Sequence, residues 1–291
     1  MLRTENTPTP VPTSRYLVST DWLAERLRDP HVVTVDATYF LPMHKRDAHA
    51  EHRSAHIPGA VFFDIEAVSD HSTDLPHMLP GPKQFGEVVG ALGIGDGDTV
   101  VVYDNSLVFS SARVWWTFRL FGAQTVYILD GGLAKWKAEG RPLETGDTER
   151  PAKTFTAEMN VGAVATLDDV RMALTGDSVQ IVDARSADRF AGKAPEPRPG
   201  LRSGHMPRSF NVPFDRLLES GRLASREHVA AVFKSAGVDL DKPIITTCGS
   251  GVTAAVLTLA LESLGKEPQG LYDGSWAEWG SRPDSPIERD K

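Results

Sequence analysis

The sequence predicts an α/β protein of two tandem domains, each a mainly parallel sheet flanked by helices. Three observations carry this. The chain repeats itself, short apolar runs alternate with helix-period segments in both halves, and a stretch without sustained period separates the halves. The repeat shows as four landmarks in the same order. "VVTVDA" (32–37) matches "VQIVDA" (179–184), and "HIPGAVFFDI" (56–65) matches "HMPRSFNVPF" (205–214). "TVVVYDNS" (99–106) matches "PIITTCGS" (243–250), and "YILDGGLAKW" (127–136) matches "GLYDGSWAEW" (270–279). Late in each half the spacing is constant: Asp130 and Asp273, and likewise Trp136 and Trp279, stand 143 residues apart.

The chain opens on "MLRTENTPTPVPTSR", which has basic residues but no apolar stretch. It does not read as a secretory leader, and its Pro and Thr predict a flexible tail over 1–15. The first domain, 16–143, begins with the strand around 32–37. "PKQFGEVVGALGI" (82–94) has helical spacing, and "TVVVY" reads as a buried strand. "RVWWTF" (113–118) has helical spacing and is expected in the core or between domains. The segment 139–160, rich in Gly, Pro, Thr and charge, sets a linker over 144–164. The second domain, 165–291, repeats the order. "SREHVAAVFKSAGV" (225–238) is a helix with Ser225 as N-cap and Gly237 near its end. "PIITT" is a buried strand, and "VTAAVLTLALESLG" (252–265) is a helix.

Composition narrows the function. Of 291 residues, 41% are hydrophobic and 24% charged, as in ordinary globular proteins. A net charge of −8 argues against nucleic acid as a main partner, because phosphate backbones call for a basic surface. No apolar run approaches the ~20 residues of a membrane helix. One cysteine excludes an internal disulfide and a cysteine-based zinc site, and the default location is the cytoplasm. His44, His49 and His52 lack ligand spacing, so neither a metal nor a cofactor is expected.

That one cysteine is Cys248, in "TTCGSGVTAA". Counting by 143 sets Asn105 opposite it, so the thiol is not needed to build the fold. Cys248 stands between a strand and a helix, where parallel α/β sheets place their sites. Gly249 and Gly251 let the loop N–H groups turn inward into an anion nest, which favours the thiolate over the thiol. The alternative is an inert core cysteine. Strand–Cys–loop–helix units also serve phosphatases, which need an arginine six residues on. Here that position is Ala254, and the loop has no Lys or Arg.

Taken together, "HIPGAVFFDI", "LPGPKQF", "ARVWW", "LDGGLAKW", "VDARSADRFAG", "CGSGVTA" and "YDGSWAEW" resemble the tandem-domain rhodanese-like sulfurtransferases, from about Tyr16 to Pro286. The resemblance implies two rhodanese-like domains, an inactive copy followed by a catalytic one. Cys248 would carry sulfur as a persulfide from a small-molecule donor to cyanide or an external thiol, thioredoxin among the candidates. Within the family, the Cys-Gly-Ser-Gly-Val-Thr loop goes with 3-mercaptopyruvate and Cys-Arg-Lys-Gly-Val-Thr with thiosulfate. Coulomb's law supports that division, since a compact dianion favours a cationic loop. By the same resemblance Gly249, Gly251, Val252 and Thr253 contact the substrate, and Arg189 and Arg198 grip the donor carboxylate, a pairing that suits guanidinium. Arg185 reads as structural. Ser250, His77 and Glu66 match a proposed proton relay, with Glu66 where many members have Asp. His56 and His205 occur in both copies, which points to a fold role. Two rivals stand beside this reading. One is a thiosulfate sulfurtransferase, and the other is a non-catalytic rhodanese-like binding module, whose mark would be a lost cysteine.

Overall fold

The computed structural model describes residues 14–290. Most of the tail expected over 1–15 therefore lies outside the described residues. The first sheet holds β1 (Leu17–Val18), β2 (Val32–Asp36), β3 (Val61–Phe62), β4 (Thr99–Tyr103) and β5 (Thr125–Leu129) in the order β1-β5-β4-β2-β3. The second holds β6 (Val164–Ala165), β7 (Gln180–Asp183), β8 (Phe210–Asn211), β11 (Ile244–Thr247) and β12 (Gly270–Tyr272) in the order β6-β12-β11-β7-β8. The two orders are the same once the strands are matched in sequence. Every pairing within both sheets is parallel. Among the described residues, a small antiparallel ribbon, β9 (Leu218–Glu219) with β10 (Arg222–Leu223), occurs in the second half alone.

The central strands are buried throughout, which is why "VVTVD" and "IITT" read as continuous rather than alternating apolar runs. Helices form where the sequence places them. Pro82–Ala91 covers one face of the first sheet, and Arg226–Ser235 is its counterpart, with the Ser225 hydroxyl accepting the His228 N–H at 3.2 Å. Gly237, with φ +82°, turns the chain after that helix.

One apolar core runs through both halves. It joins Val33, Phe85, Trp115 and Phe118 of the first to Val212, Phe233, Leu257 and Leu261 of the second. Each sheet keeps a smaller cluster on its other face, one around Trp136 and one around Trp276 and Trp279. The helices Ser111–Leu120 and Ala254–Ser263, which follow β4 and β11, pack against each other at the seam. Trp115 and Trp116 are buried there, so "RVWWTF" serves both expected roles, core and domain contact.

The segment joining the halves has no regular structure of its own until Val161–Ala163, yet it is held down. Its backbone bonds to the first domain at Lys153 N–H to Gly90 O (3.0 Å) and Glu158 N–H to Phe121 O (3.1 Å). Phe155 packs its ring on Phe85 and Phe118. A Cβ on Gly90 would fall 2.5 Å from the Lys153 carbonyl, so that glycine permits the close approach.

The repeated histidines turn out to be braces. His56 Nδ1 bonds the His52 carbonyl and His205 Nδ1 the Phe190 carbonyl, each at 2.8 Å. Each also bridges by backbone to a later segment, at Glu144 and Glu288. His52 is buried on Asp36 at 2.9 Å, and the exposed His49 reaches Asp147.

Candidate active site

β11 delivers Cys248 to the carboxyl edge of the second sheet, 2% exposed. Its carbonyl accepts from Trp276 N–H and that of Gly249 from Ala277 N–H, both at 2.9 Å, while the Cys248 N–H donates to Ser275 Oγ at 3.3 Å. The carbonyls thus turn into the short helix Ser275–Trp279. Among the described residues, the N–H groups of Gly249 to Thr253 find no acceptor. They lie just ahead of the ten-residue helix Ala254–Ser263, whose dipole adds positive potential. Gly251 has φ +80°, and a Cβ there would stand 2.8 Å from the Arg113 guanidinium. No other residue type fits this turn without strain.

The match of Asn105 to Cys248 requires a correction. Tyr103 pairs with Asp36 as Thr247 pairs with Asp183, so the next residues, Asp104 and Cys248, are the equivalent pair. The Asp104 carbonyl accepts from Leu133 N–H as that of Cys248 does from Trp276. The first loop, 104–110, is one residue longer than the second, 248–253, and a count taken from the later landmarks slips by that residue.

Ser250, His77 and Glu66 come together across the seam. Ser250 Oγ lies 2.9 Å from His77 Nδ1, and His77 Nε2 lies 2.9 Å from Glu66 Oε1. The extra methylene of Glu66 does not break the chain of contacts. Glu66 sits in the first turn of Ile65–Val68, and its longer side chain spans the gap to the imidazole. The hydrogen bond from His77 holds its carboxyl below the usual range against the opposing effect of burial. A carboxylate there fixes the imidazole proton on Nε2 and leaves Nδ1 to accept from the Ser250 hydroxyl.

His77 itself has φ +59°, an uncommon conformation for a residue other than glycine. Two contacts over-determine it: Arg113 donates to its carbonyl at 2.8 Å, and the Leu79 N–H donates to Asp273 Oδ2 at 2.8 Å. Arg113 also pairs with Asp273 at 2.7 Å, both nearly inaccessible. This buried pair ties the first domain's helix to the cysteine loop. The reciprocal pair, Arg222 of the second domain on Asp130 of the first, is more exposed.

A cavity of about 130 Å³ opens over the loop, lined by Cys248, Ser250, Val252, Thr253, Arg189 and Arg198, with Tyr39 from the first domain. Arg189 ends the helix Ala187–Phe190, donates to Glu196, and keeps a buried Nε with no partner. Its guanidinium lies against the loop, since a Cβ on Gly249 would be 2.9 Å from its terminal nitrogen. Arg198 stands close enough to Glu66 and Tyr39 to favour ionisation of both. Arg185 is fully buried, held by Asp183 and Glu196 at 2.7 Å each and stacked over Trp276, which agrees with a structural reading.

Sequence reasoning missed Tyr39, Arg113, Glu196 and a role for Asp273. Asp273 had a signal, being a repeat landmark. Glu196 had one too, as the acid two residues before Arg198 in "PEPR". Tyr39 and Arg113 belong to the other copy, and no local pattern ties them to the cysteine. Among the described residues, no helix is long and apolar enough to cross a membrane, and no His/Cys/Asp/Glu group could hold a metal ion.

A profile of the Rhodanese-like domain matches residues 19–139 and again 166–282. The chain is 47% identical to a 3-mercaptopyruvate sulfurtransferase of Escherichia coli K12, over 94% of this chain and 98% of that protein. It is 42% identical to the human 3-mercaptopyruvate sulfurtransferase, over 94% and 95%. Among solved structures, that of SseA from Escherichia coli, described as a 3-mercaptopyruvate sulfotransferase with the rhodanese fold, superposes with a TM-score of 0.83. It is 45% identical and covers 90% of this chain and 98% of that one.

Proposed function

This chain belongs to the rhodanese-like sulfurtransferases, and from that premise we propose that Cys248 is the sulfur carrier of a 3-mercaptopyruvate sulfurtransferase. The observation that carries the assignment of residues is one cavity that gathers a buried thiol under free N–H groups, an uncharged loop and two arginines.

The reaction runs in two halves. The Cys248 thiolate attacks the donor's sulfur, an S–S bond forms, and the bond from sulfur to C3 breaks. The electron pair goes to C3 and its conjugated carbonyl as the enolate of pyruvate, which takes a proton at C3. Arg189 and Arg198 hold the donor carboxylate, with Glu196 fixing the Arg189 fork. The N–H groups of Gly249, Gly251, Val252 and Thr253 stabilise the anionic sulfur. The Ser250–His77–Glu66 chain moves the proton that leaves the donor thiol and returns one to the enolate. In the second half an acceptor thiolate takes the outer sulfur and Cys248 leaves as thiolate. The chain has no second cysteine, so the acceptor is external: cyanide in an assay, a thiol or a thioredoxin-like dithiol in the cell. We place the protein in the cytoplasm, where reduced thiols abound.

Thiosulfate is the lesser donor in this reading, because the loop carries no cation of its own and Arg189 beside it is paired with Glu196. Two Arabidopsis relatives carry both donors in their names, at 43% and 41% identity, so both donors belong in the assay.

The test is intact mass. On 3-mercaptopyruvate the protein should gain one sulfur atom, ~32 Da, and lose it to an added thiol. Cys248→Ser should show no gain while keeping its circular dichroism. Turnover by Cys248→Ser would sink the assignment.

A further inference from the structure

The cavity over Cys248 has one donor that the mechanism above leaves idle. Tyr39 comes from the inactive copy, just past β2, and its backbone is pinned by Tyr39 N–H to Ser110 Oγ at 3.2 Å. The residue is 7% exposed, and its ring meets His77 edge-on with centroids 5.0 Å apart. The hydroxyl is buried beside Arg198 and Glu66 without an ordinary hydrogen bond to either, and the residue lines the cavity with Cys248, Arg189 and Arg198. Buried hydroxyls are ordinarily satisfied, and one left open on a cavity wall marks a place for a ligand atom. The Arg189 Nε is likewise buried and unpartnered, on a residue that lines the same cavity. Burial, with Glu66 nearby, pushes the phenol up to about 12, so it is a proton-bearing donor at any working pH.

A donor molecule of the 2-oxo-thiol class has three polar ends. Its sulfur goes to Cys248 and its carboxylate to the arginines. The 2-oxo oxygen is left, and it gains negative charge as the carbon–sulfur bond breaks and the enolate forms. A neutral hydroxyl aimed at that oxygen strengthens its hydrogen bond as the charge grows, the condition for lowering the barrier rather than only tightening binding. We propose that the Tyr39 hydroxyl, contributed by the inactive copy, donates to the 2-oxo oxygen of the sulfur donor and stabilises the enolate of the departing pyruvate. This rests on the sulfurtransferase reading above. It also gives a chemical reason for the inactive copy to be kept beside the active one. Thiosulfate has no such oxygen, since it leaves as sulfite, so Tyr39 acts in donor choice as well.

Tyr39→Phe tests this, because it removes only the oxygen and breaks no ordinary hydrogen bond within the protein. With 3-mercaptopyruvate, kcat should fall by about 10- to 100-fold with KM little changed, somewhat less than the loss of a full oxyanion-hole donor. With thiosulfate, kcat/KM should stay within about twofold. As competitive inhibitors of the thiosulfate reaction, pyruvate should bind better than propionate in the wild type, and Tyr39→Phe should narrow that gap. An equal loss on both donors, or an unchanged kcat with 3-mercaptopyruvate, overturns the role. Should the wild type fail to gain sulfur from 3-mercaptopyruvate while gaining it from thiosulfate, the donor assignment fails instead. The two failures are thus distinct.

Discussion

The two halves of this chain share strand order, parallel pairing and the packing of a helix behind a loop, but they do opposite things at the mouth of that helix. In the first copy Asp104 stands at the strand end, and its carboxylate accepts Ser111 N–H at 2.7 Å and Ser106 N–H at 2.9 Å. The nest is filled from within, as an N-cap fills a helix end. Burial lifts the Asp104 carboxyl above its usual range while those hydrogen bonds pull the other way. In the second copy Cys248 stands at the same place, the loop is a residue shorter, and the N–H groups stay open. A different residue at the strand end and a loop of other composition, one residue shorter, separate a capped helix from a candidate anion site. The lesson is that the fold supplies the field at the helix terminus in both copies, and the side chain decides whether an outside anion receives it.

The sharpest way to break this comparison is to move the thiol. Cys248→Ser should lose at least about 10³-fold in turnover, and adding Asp104→Cys to it should restore none. The first copy's loop is longer, and Arg46 beside it is taken up by Glu51, which also accepts from Asn105, so the moved thiol has no donor site. Intact mass after 3-mercaptopyruvate reads the outcome, and sulfur bound at position 104 would show that the fold alone is enough.

Next in size is the carboxylate grip. Arg189→Ala should lower kcat/KM for 3-mercaptopyruvate by about 10- to 150-fold, the loss of one charge-assisted contact worth ~1.5–3 kcal/mol. Steady-state kinetics on Arg189→Ala and Arg198→Ala check it. If both keep wild-type kcat/KM, the carboxylate is held elsewhere.

A smaller effect is expected from exchanging loop chemistry. The pair Gly249→Arg, Ser250→Lys should shift the donor ratio towards thiosulfate by about tenfold, ~1.4 kcal/mol, a modest Coulomb gain in a wet cleft. Part of the shift is loss, since the Ser250 hydroxyl leaves the His77 contact. A side chain at 249 also meets the Arg189 guanidinium, which must move. Kinetics on both donors measure the ratio, with circular dichroism to confirm folding. An unchanged ratio in the folded protein would move the determinant to the arginines or the seam.

The smallest effect concerns pH. Glu66 has its carboxyl held below the ordinary range by His77. A lowered folded value means its contribution is present above the unfolded value and is lost as pH falls through the folded one. Activity with 3-mercaptopyruvate should therefore persist into mild acid and then drop. Glu66→Gln should lower activity by a few-fold and flatten that acid limb. A wild-type acid limb in Glu66→Gln would remove the carboxylate from the relay. Among the described residues, the first copy has no equivalent Ser–His–carboxylate chain to lose.

The sequence alone determined the layered α/β architecture, the duplication, the main helices and the cysteine loop. These are local properties: the apolar run of "IITT", the cap at Ser225 and the glycines around Ser250 act within a few residues of themselves. It also brought the site residues into view, because the motifs resembling a known family lie in short stretches. Tertiary structure decided what those residues meet. Only the folded seam shows Ser250 against His77, Arg113 on Asp273 and Tyr39 over Cys248, pairs 173, 160 and 209 residues apart in the chain. Counting placed Asn105 opposite the thiol, whereas strand register placed Asp104 there. A periodic count carries any insertion along with it, while hydrogen bonds between strands reset the alignment at every pair.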